Sequence, residues 1–187
     1  TVVSVNSLKD LGIRLHVLTG DNFEHSLMVA YSLKLFGPNK TVEYSHLDFT
    51  TADHGMGQIK RVLDEITKSV NVLNRRTKNT LHQNLKKANT LEDFKANYKN
   101  INVVVSGSTV DFICKNDYFK EHFKFILEFS NTVIGYNLSP TNKAEIVQFF
   151  RELGRLTLAV GDGYNDINMI QASNIGFQIV NNQVGLQ

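Results

Sequence analysis

The chain has 187 residues, of which 42% are hydrophobic and 20% charged, as is usual for one globular domain with its own core. Its net charge of +2 gives no whole-molecule reason to expect a nucleic acid partner. No apolar run approaches the roughly 18 residues that span a bilayer, and the start lacks a signal-peptide pattern, so we expect a water-soluble piece. The single cysteine, Cys114, excludes an internal disulfide and favours a reducing compartment, the cytosol.

The amino-terminal part of the chain predicts a helix followed by a strand, a polar turn and a second helix. Ser4 is a suitable N-cap for a short helix that ends at Leu11, and the β-branched and apolar residues 13–18 predict a strand. The strand leads directly into Thr19-Gly20-Asp21. Residues 22–35 then carry apolar side chains at helical spacing.

Residues 39–100 differ in character, being rich in Asn, Lys and Thr, and we interpret them as a basic helical insertion. Apolar residues between Ile59 and Leu73 mark one amphipathic helix, and Leu91, Phe94 and Tyr98 hint at a second. From residue 60 to 99 there are ten Lys and Arg against four Asp and Glu, an excess of six positive charges. Two interpretations stay open: a solvated helical face, or a docking surface for anionic lipid or a partner protein.

The second half of the chain repeats the alternation of strand and helix. Strands are predicted over 102–105, 132–136, 156–160 and 175–179, and helices over 118–129, 142–153 and 165–172. Apolar strands that alternate with helices predict an α/β fold with a doubly wound parallel sheet, with its chemistry at the carboxyl ends of the strands.

The strongest motif is Gly161-Asp162-Gly163-Tyr164-Asn165-Asp166, which lies between a predicted strand and a predicted helix. Glycines allow a sharp turn, and two carboxylates four residues apart offer the hard oxygen ligands that suit Mg²⁺. A turn with helix-capping Asp and Asn would explain any one of these residues, but it does not easily explain all of them.

Two further stretches could contact a phosphate. Thr19-Gly20-Asp21 offers a hydroxyl and backbone N–H groups at a helix N-terminus, although Thr or Asp there is usually only an N-cap. Ser139-Pro140-Thr141-Asn142-Lys143 places a lysine in the first turn of a helix, where the helix dipole disfavours it. A bound phosphate would explain that lysine; a solvent-exposed side chain is the alternative.

Together these stretches resemble the haloacid-dehalogenase superfamily and, within it, the phosphorylation domain of the phospholipid-transporting P-type ATPases, or flippases. Residues 17–21 read V-L-T-G-D, and residues 156–166 with 169–172 are similar to the flippase pattern T-L-A-I-G-D-G-A-N-D-x-x-M-I-Q-A. Residues 182–187 resemble the G-Q-E-G-M-Q-A that follows it. The resemblance covers roughly residues 1–37 and 101–187.

The resemblance assigns a role to each motif residue. It implies that Asp162 is a Mg²⁺ ligand and Asp166 its supporting carboxylate, and that Lys143 and Thr19 contact the phosphoryl group. It implies that the Gly20 N–H also faces the phosphate, that Asp21 lies near metal and nucleotide, and that Asn165 bonds the phosphorylated aspartate. The cofactors implied are Mg²⁺ and, in the parent protein, ATP.

The chain also departs from the family pattern. The nucleophile motif D-K-T-G-T is absent, so we interpret the chain as the carboxyl-terminal portion, residues 1–187, of an incomplete phosphorylation domain. The missing strand belongs in the middle of the family's sheet, so we expect exposed strand edges, with either self-association through them or altered local packing. Asn22, His25 and Asn137 stand where the family has Lys, Thr and Arg, and the loss of that arginine puts nucleotide contact in doubt.

Three functional hypotheses remain. The first is a piece of a flippase, a cytosolic domain of a multi-pass membrane protein, whose partners are its own nucleotide-binding, actuator and membrane domains and an accessory subunit. The second is a flippase-like regulatory module that has lost catalysis, as in the flippase-like half of alveolate guanylyl cyclases. The third, a free-standing phosphatase, needs its own nucleophile, and Asp10 lacks the required sequence context.

Overall fold

The computed structural model describes residues 2–36, 44–76 and 101–179, with side chains in the second range described up to Ile66. Over these residues, strands and helices alternate along the chain. The strands are β1 (Val17–Leu18), β2 (Ser45–Leu47), β3 (Ile101–Ser106), β4 (Ser130–Tyr136), β5 (Leu158–Gly161) and β6 (Ile175–Gln178). The α-helices are α1 (Val2–Asp10), α2 (Phe23–Ser32), α3 (Ala52–Arg76), α4 (Gly107–Cys114), α5 (Asp117–Glu128), α6 (Pro140–Glu152) and α7 (Ile167–Ala172). A 3-10 turn, Tyr164–Asp166, joins β5 to α7.

The strands form two parallel sheets. Four strands pair in the order β1-β4-β3-β2, and β5 pairs with β6. Every pair is parallel, with Val17 opposite Ile134 at one edge and Leu158 opposite Ile175 in the smaller sheet. Within the described residues, β1 and β5 each pair on one side only.

Helices cover both faces of the larger sheet, which confirms the predicted doubly wound α/β architecture. Val103 and Val105 point into a core shared with α3, α4, α5 and α6. Val104 and Ile134 point to the opposite face, where α2 packs through Ala30. Because a strand covered on both faces needs apolar side chains on each of them, the three residues at the centre of β3 are all valine, and β3 is buried at every position.

The amino-terminal elements differ from the predicted bounds. The first helix begins at Val2, so Ser4 lies inside it and the predicted N-cap is wrong. The predicted strand over 13–18 shortens to Val17–Leu18.

Side chains explain why this strand is short. The Arg14 guanidinium donates hydrogen bonds to the carbonyls of Glu128 and Ser130, at 3.0 and 3.1 Å. The Val133 N–H donates to Nδ1 of His16 at 3.0 Å. These side chains bond main-chain groups at the start of β4 and just before it, where a longer β1 would have run alongside.

The segment interpreted as an insertion contributes to the main core. Strand β2, which was not predicted, extends the sheet beside β3. The amphipathic helix predicted there is α3, which buries Ile59, Val62 and Ile66. The predicted second helix near Leu91 lies outside the described residues, as does the final motif over 182–187.

Helix α4 was not predicted either. It begins after Ser106, whose hydroxyl accepts a hydrogen bond from the Thr109 N–H at 3.2 Å. Among the described residues, no helix has the length and apolar character needed to cross a membrane.

Candidate functional site

The loop after β5 is organised around the carboxylate of Asp166. One oxygen, Oδ2, lies 3.3 Å from the Asp162 N–H and 3.4 Å from the Gly163 N–H, which both donate to it. A Cβ on Gly161 would lie 2.3 Å from the Asp166 Cβ, so glycine is required for this close approach. The side chain of Asp166 is buried and fixes the turn that presents Asp162.

The second oxygen of Asp166 binds Lys143. Nζ of Lys143 lies 2.7 Å from Oδ1, and the two side chains are only 4% and 10% exposed. A salt bridge this buried is stable only because each charge neutralises the other and Oδ2 has backbone donors. The alternative interpretation of Lys143 as a solvent-exposed lysine is therefore wrong.

Helix α6 begins with a capping box that sets the direction of its first turn. The Ser139 hydroxyl accepts from the Asn142 N–H at 3.1 Å, and the Asn142 side-chain oxygen accepts from the Ser139 N–H at 3.0 Å. Pro140 occupies the first turn, where its missing N–H has no cost. The lysine that follows this box is directed inward.

The Thr19-Gly20-Asp21 loop is tied to the loop after β4. The Thr19 hydroxyl accepts a hydrogen bond from the Asp21 N–H at 3.1 Å. The Thr19 carbonyl accepts from the Leu138 N–H at 3.0 Å, and the Asp21 carbonyl accepts from the Asn137 N–H at 2.7 Å. Thr19 is not the N-cap of α2, because Asn22 holds that position.

Asn137 and Asn22, two of the departures from the family pattern, each have a local structural role. Asn137 has a φ of 49°, in the left-handed region that Asn tolerates better than most residues. The Asn22 side chain accepts from the His25 N–H at 2.9 Å and so caps α2. Both residues suit the backbone conformation that they adopt.

The three motifs meet at one open cleft of about 290 Å³ between the two sheets. It is lined by Leu18, Thr19, Lys143, Val160, Gly161, Asp162, Asn165, Asp166, Met169 and Ile179. Five of the seven predicted site residues therefore meet there. Gly20 and Asp21 do not line it.

The two carboxylates predicted for the metal differ in their bonding to the described residues. Asp162 is exposed, and its carboxylate makes no hydrogen bond or ion pair with the described residues. Both oxygens of Asp166 are already bonded. Within the described ranges no group of three His, Cys, Asp or Glu side chains could hold a metal ion, so further ligands would have to come from outside this set.

The edges of β1 and β5 that have no partner among the described residues lie at the same cleft. Leu18 at the end of β1 and Val160 in β5 both line it. Helix α6 packs against both sheets, because its Val147 contacts a cluster with Ala159 of β5 and Met169 of α7, and Leu18 of β1 packs against the same cluster. Leu158 and Val160 of β5 remain 59% and 50% exposed.

One contact at this site was not predicted from the sequence. Asp111, on α4, accepts a hydrogen bond at 2.5 Å from the side-chain nitrogen of Asn142. No motif marked Asp111, because its segment carried no predicted element. The sequence signal that leads to it is the turn of residues 139–143, which carries its partner Asn142.

A parallel α/β domain with polar loops at the carboxyl ends of its strands is the architecture shared by Rossmann-like and haloacid-dehalogenase-like domains. No family model matches the chain. It is related to phospholipid-transporting P-type ATPases over nearly its whole length.

Three relatives illustrate the match. Phospholipid-transporting ATPase IH of Homo sapiens is 26% identical over 185 residues, which cover 95% of this chain and 15% of that protein. A phospholipid-transporting ATPase of Schizosaccharomyces pombe is 30% identical over 176 residues, covering 90% of this chain and 12% of its own length. Probable phospholipid-transporting ATPase 5 of Arabidopsis thaliana is 30% identical, and the match covers 94% of this chain and 13% of that protein. The chain thus spans about an eighth of the latter two relatives.

Proposed function

We propose that this chain is part of the phosphorylation domain of an ATP-driven phospholipid flippase. Its cleft would hold Mg²⁺ and the phosphoryl group of an aspartyl phosphate formed on a residue outside the chain. The observation that supports this most is the convergence of Thr19, Lys143, Asp162 and Asn165 on one cleft between two incomplete sheet edges. The longer relatives, whose names state phospholipid transport, support the rest.

Each side chain would act on charge or position. Mg²⁺ bound at Asp162 would neutralise phosphate oxygens, which is the main requirement of phosphoryl transfer. Lys143 would supply a positive charge held in place by Asp166, and the Thr19 hydroxyl would donate to a phosphoryl oxygen. Asn165, which is exposed at the opening of the cleft, would hydrogen-bond the aspartyl group. In the adjoining loop, the Gly20 N–H would face the phosphate, and Asp21 would lie near the metal and the nucleotide.

The partner that completes the cleft would be the remaining polypeptide. We propose that a strand carrying the nucleophilic aspartate lies between β1 and β5 and covers the exposed Leu158 and Val160. The other partners would be the nucleotide-binding, actuator and membrane domains, with this chain on the cytosolic side. An isolated copy would self-associate through the same edges, which sedimentation analysis of the purified chain would detect as dimers.

The experiment uses the full-length parent protein, incubated with Mg²⁺ and ATP labelled on its γ-phosphate. We expect a hydroxylamine-sensitive phosphoenzyme that Asp162→Asn abolishes or greatly reduces. Tyr164→Ala is the matched control, because this side chain lies in the same loop and is 89% exposed. The isolated chain should not label, and an aspartyl phosphate formed on it alone would overturn the proposal.

One observation favours the regulatory-module alternative. Asn137 stands where the family has an arginine, and its backbone bond to Asp21 fixes the loop in this form. A folded parent that forms no phosphoenzyme, while an active flippase labels in parallel, would support that function. A cyclase domain elsewhere in the parent would support it further.

A further inference from the structure

We propose that Asp111, on α4, is a positioning residue that holds Lys143 in its inward orientation through the side chain of Asn142. Asp111 accepts a hydrogen bond from Nδ2 of Asn142, which is 3% exposed. Lys143 is the next residue of α6, and its Nζ bonds Asp166. The link to phosphoryl transfer rests on the function proposed above; the link to Lys143 does not.

The hydrogen bonds of Asn142 connect the start of α6 with α4. Its backbone N–H and side-chain oxygen both bond Ser139 in the capping box of α6. Its remaining polar atom, Nδ2, is directed out of α6 to Asp111. Because the side chain of Asn142 is bonded at both its oxygen and its nitrogen, the first turn of α6 has a defined direction, and Lys143 follows it.

A second contact from α4 supports this assignment. A Cβ on Gly107 would lie 3.2 Å from Oδ1 of Asn142 and 2.2 Å from the Asn137 carbonyl oxygen. Gly107 and Asp111 are four residues apart and so share one face of α4. That face of α4 therefore lies close to the Asn142 oxygen at Gly107 and bonds the Asn142 nitrogen at Asp111.

Loss of the Asp111 carboxylate should loosen the start of α6 locally. Nδ2 of Asn142 would be a buried donor without an acceptor, a state that is relieved when the turn opens toward water. Opening of this turn exposes the amine of Lys143, whose side chain is otherwise 4% exposed. The accessibility of that amine therefore reports the positioning directly, without any enzymatic activity.

The test is chemical labelling of lysine amines in the full 187-residue chain, read by peptide mass spectrometry. Exposed Lys60 serves as the internal reference. We expect Asp111→Ala to raise the labelling rate of Lys143 by at least about fivefold, the lower end of the factor for a buried donor left without its acceptor. Asp111→Asn keeps an oxygen acceptor and should label like the unaltered chain.

Ile113→Val controls for general destabilisation, because Ile113 is fully buried on the same helix and its loss of one methylene leaves Asp111 in place. It should leave Lys143 protected. An unchanged rate in Asp111→Ala, or an equal rise in Ile113→Val, would overturn the proposal.

A second arm separates this proposal from the proposed function. In the full-length parent, Asp111→Ala should slow phosphoenzyme formation at saturating ATP without changing the ATP concentration for half-maximal rate, and Asp111→Asn should restore it. Phosphorylation of Asp111→Ala at the normal rate would overturn the role in the reaction. If the unaltered parent never labels, the proposed function fails while the lysine labelling result still decides the positioning of Lys143.

Discussion

Asp166→Asn is the substitution that tests the organisation of the site most directly. In the folded chain Oδ1 of Asp166 accepts from the Lys143 ammonium at 2.7 Å and Oδ2 accepts from the backbone N–H groups of Asp162 and Gly163. An amide has one oxygen and one NH₂ group. In either orientation its NH₂ faces another donor, and the charge of Lys143 loses its partner.

The expected loss of stability in Asp166→Asn follows from the burial of the Lys143–Asp166 ion pair. Removing one member of a buried ion pair costs about 3–5 kcal/mol, because the other charge remains in a low-dielectric environment. Lys143 and Asp166 are 4% and 10% exposed, so the full figure applies here. Since a domain has only about 5–15 kcal/mol of stability, this single change should remove a large part of it.

The assay is urea unfolding followed by far-UV circular dichroism. Asp162→Asn is the matched control, because that side chain is exposed in the same loop and should change the free energy of unfolding by less than about 0.5 kcal/mol. Lys143→Met in the Asp166→Asn background should recover part of the loss by removing the unpaired cation. The reasoning is refuted if Asp166→Asn costs no more than Asp162→Asn.

Two further predictions concern His16 and a pair of glycines. Burial, together with the neighbouring Arg14 cation, lowers the pKa of His16 from 6.5 to about 4. The unfolded chain therefore binds a proton that the folded chain excludes, so stability should fall as pH drops below about 6.5, by about 2 kcal/mol near pH 5. His16→Asn keeps an acceptor for the Val133 N–H but cannot titrate; if its urea unfolding retains the full pH dependence, the assignment to His16 fails. Gly161→Ala would place its Cβ 2.3 Å from the Asp166 Cβ and should cost about 1–3 kcal/mol, whereas Gly20→Ala meets only the Leu138 carbonyl oxygen at 3.6 Å. Thermal unfolding should show a clear drop for the first and almost none for the second, and equal melting temperatures would count against the packing described.

Sequence patterns predicted most of the regular elements, because those elements are set by local periodicity. The three consecutive valines at the centre of β3 and the helical spacing of α5 and α6 gave correct types with ends shifted by one or two residues. The elements that sequence missed, β2 and α4, are short. Three residues of β2 carry no readable alternation, and its pairing with β3 is a tertiary contact.

The candidate site was also predicted in part: the sequence identified its residues but not the contacts between them. Residue type and spacing identified Asp162, Asp166, Thr19 and Lys143, since glycines and carboxylates after an apolar strand are informative by themselves. Spacing could not show that Asp166 binds Lys143, because these residues are far apart in sequence and meet only when α6 and the β5 loop pack together. It also could not separate a buried lysine from an exposed one.

The sequence by itself determined the α/β class, the polar loops and the relationship to phospholipid-transporting ATPases, because periodicity and short motifs are properties of neighbouring residues. Only the tertiary structure decided that Asp162 is exposed with no bonded partner among the described residues, while Asp166 is buried and bonded at both oxygens. The two residues differ because burial and pairing depend on which elements pack together. For the same reason Asp111, which no motif marked, contacts the helix that carries Lys143.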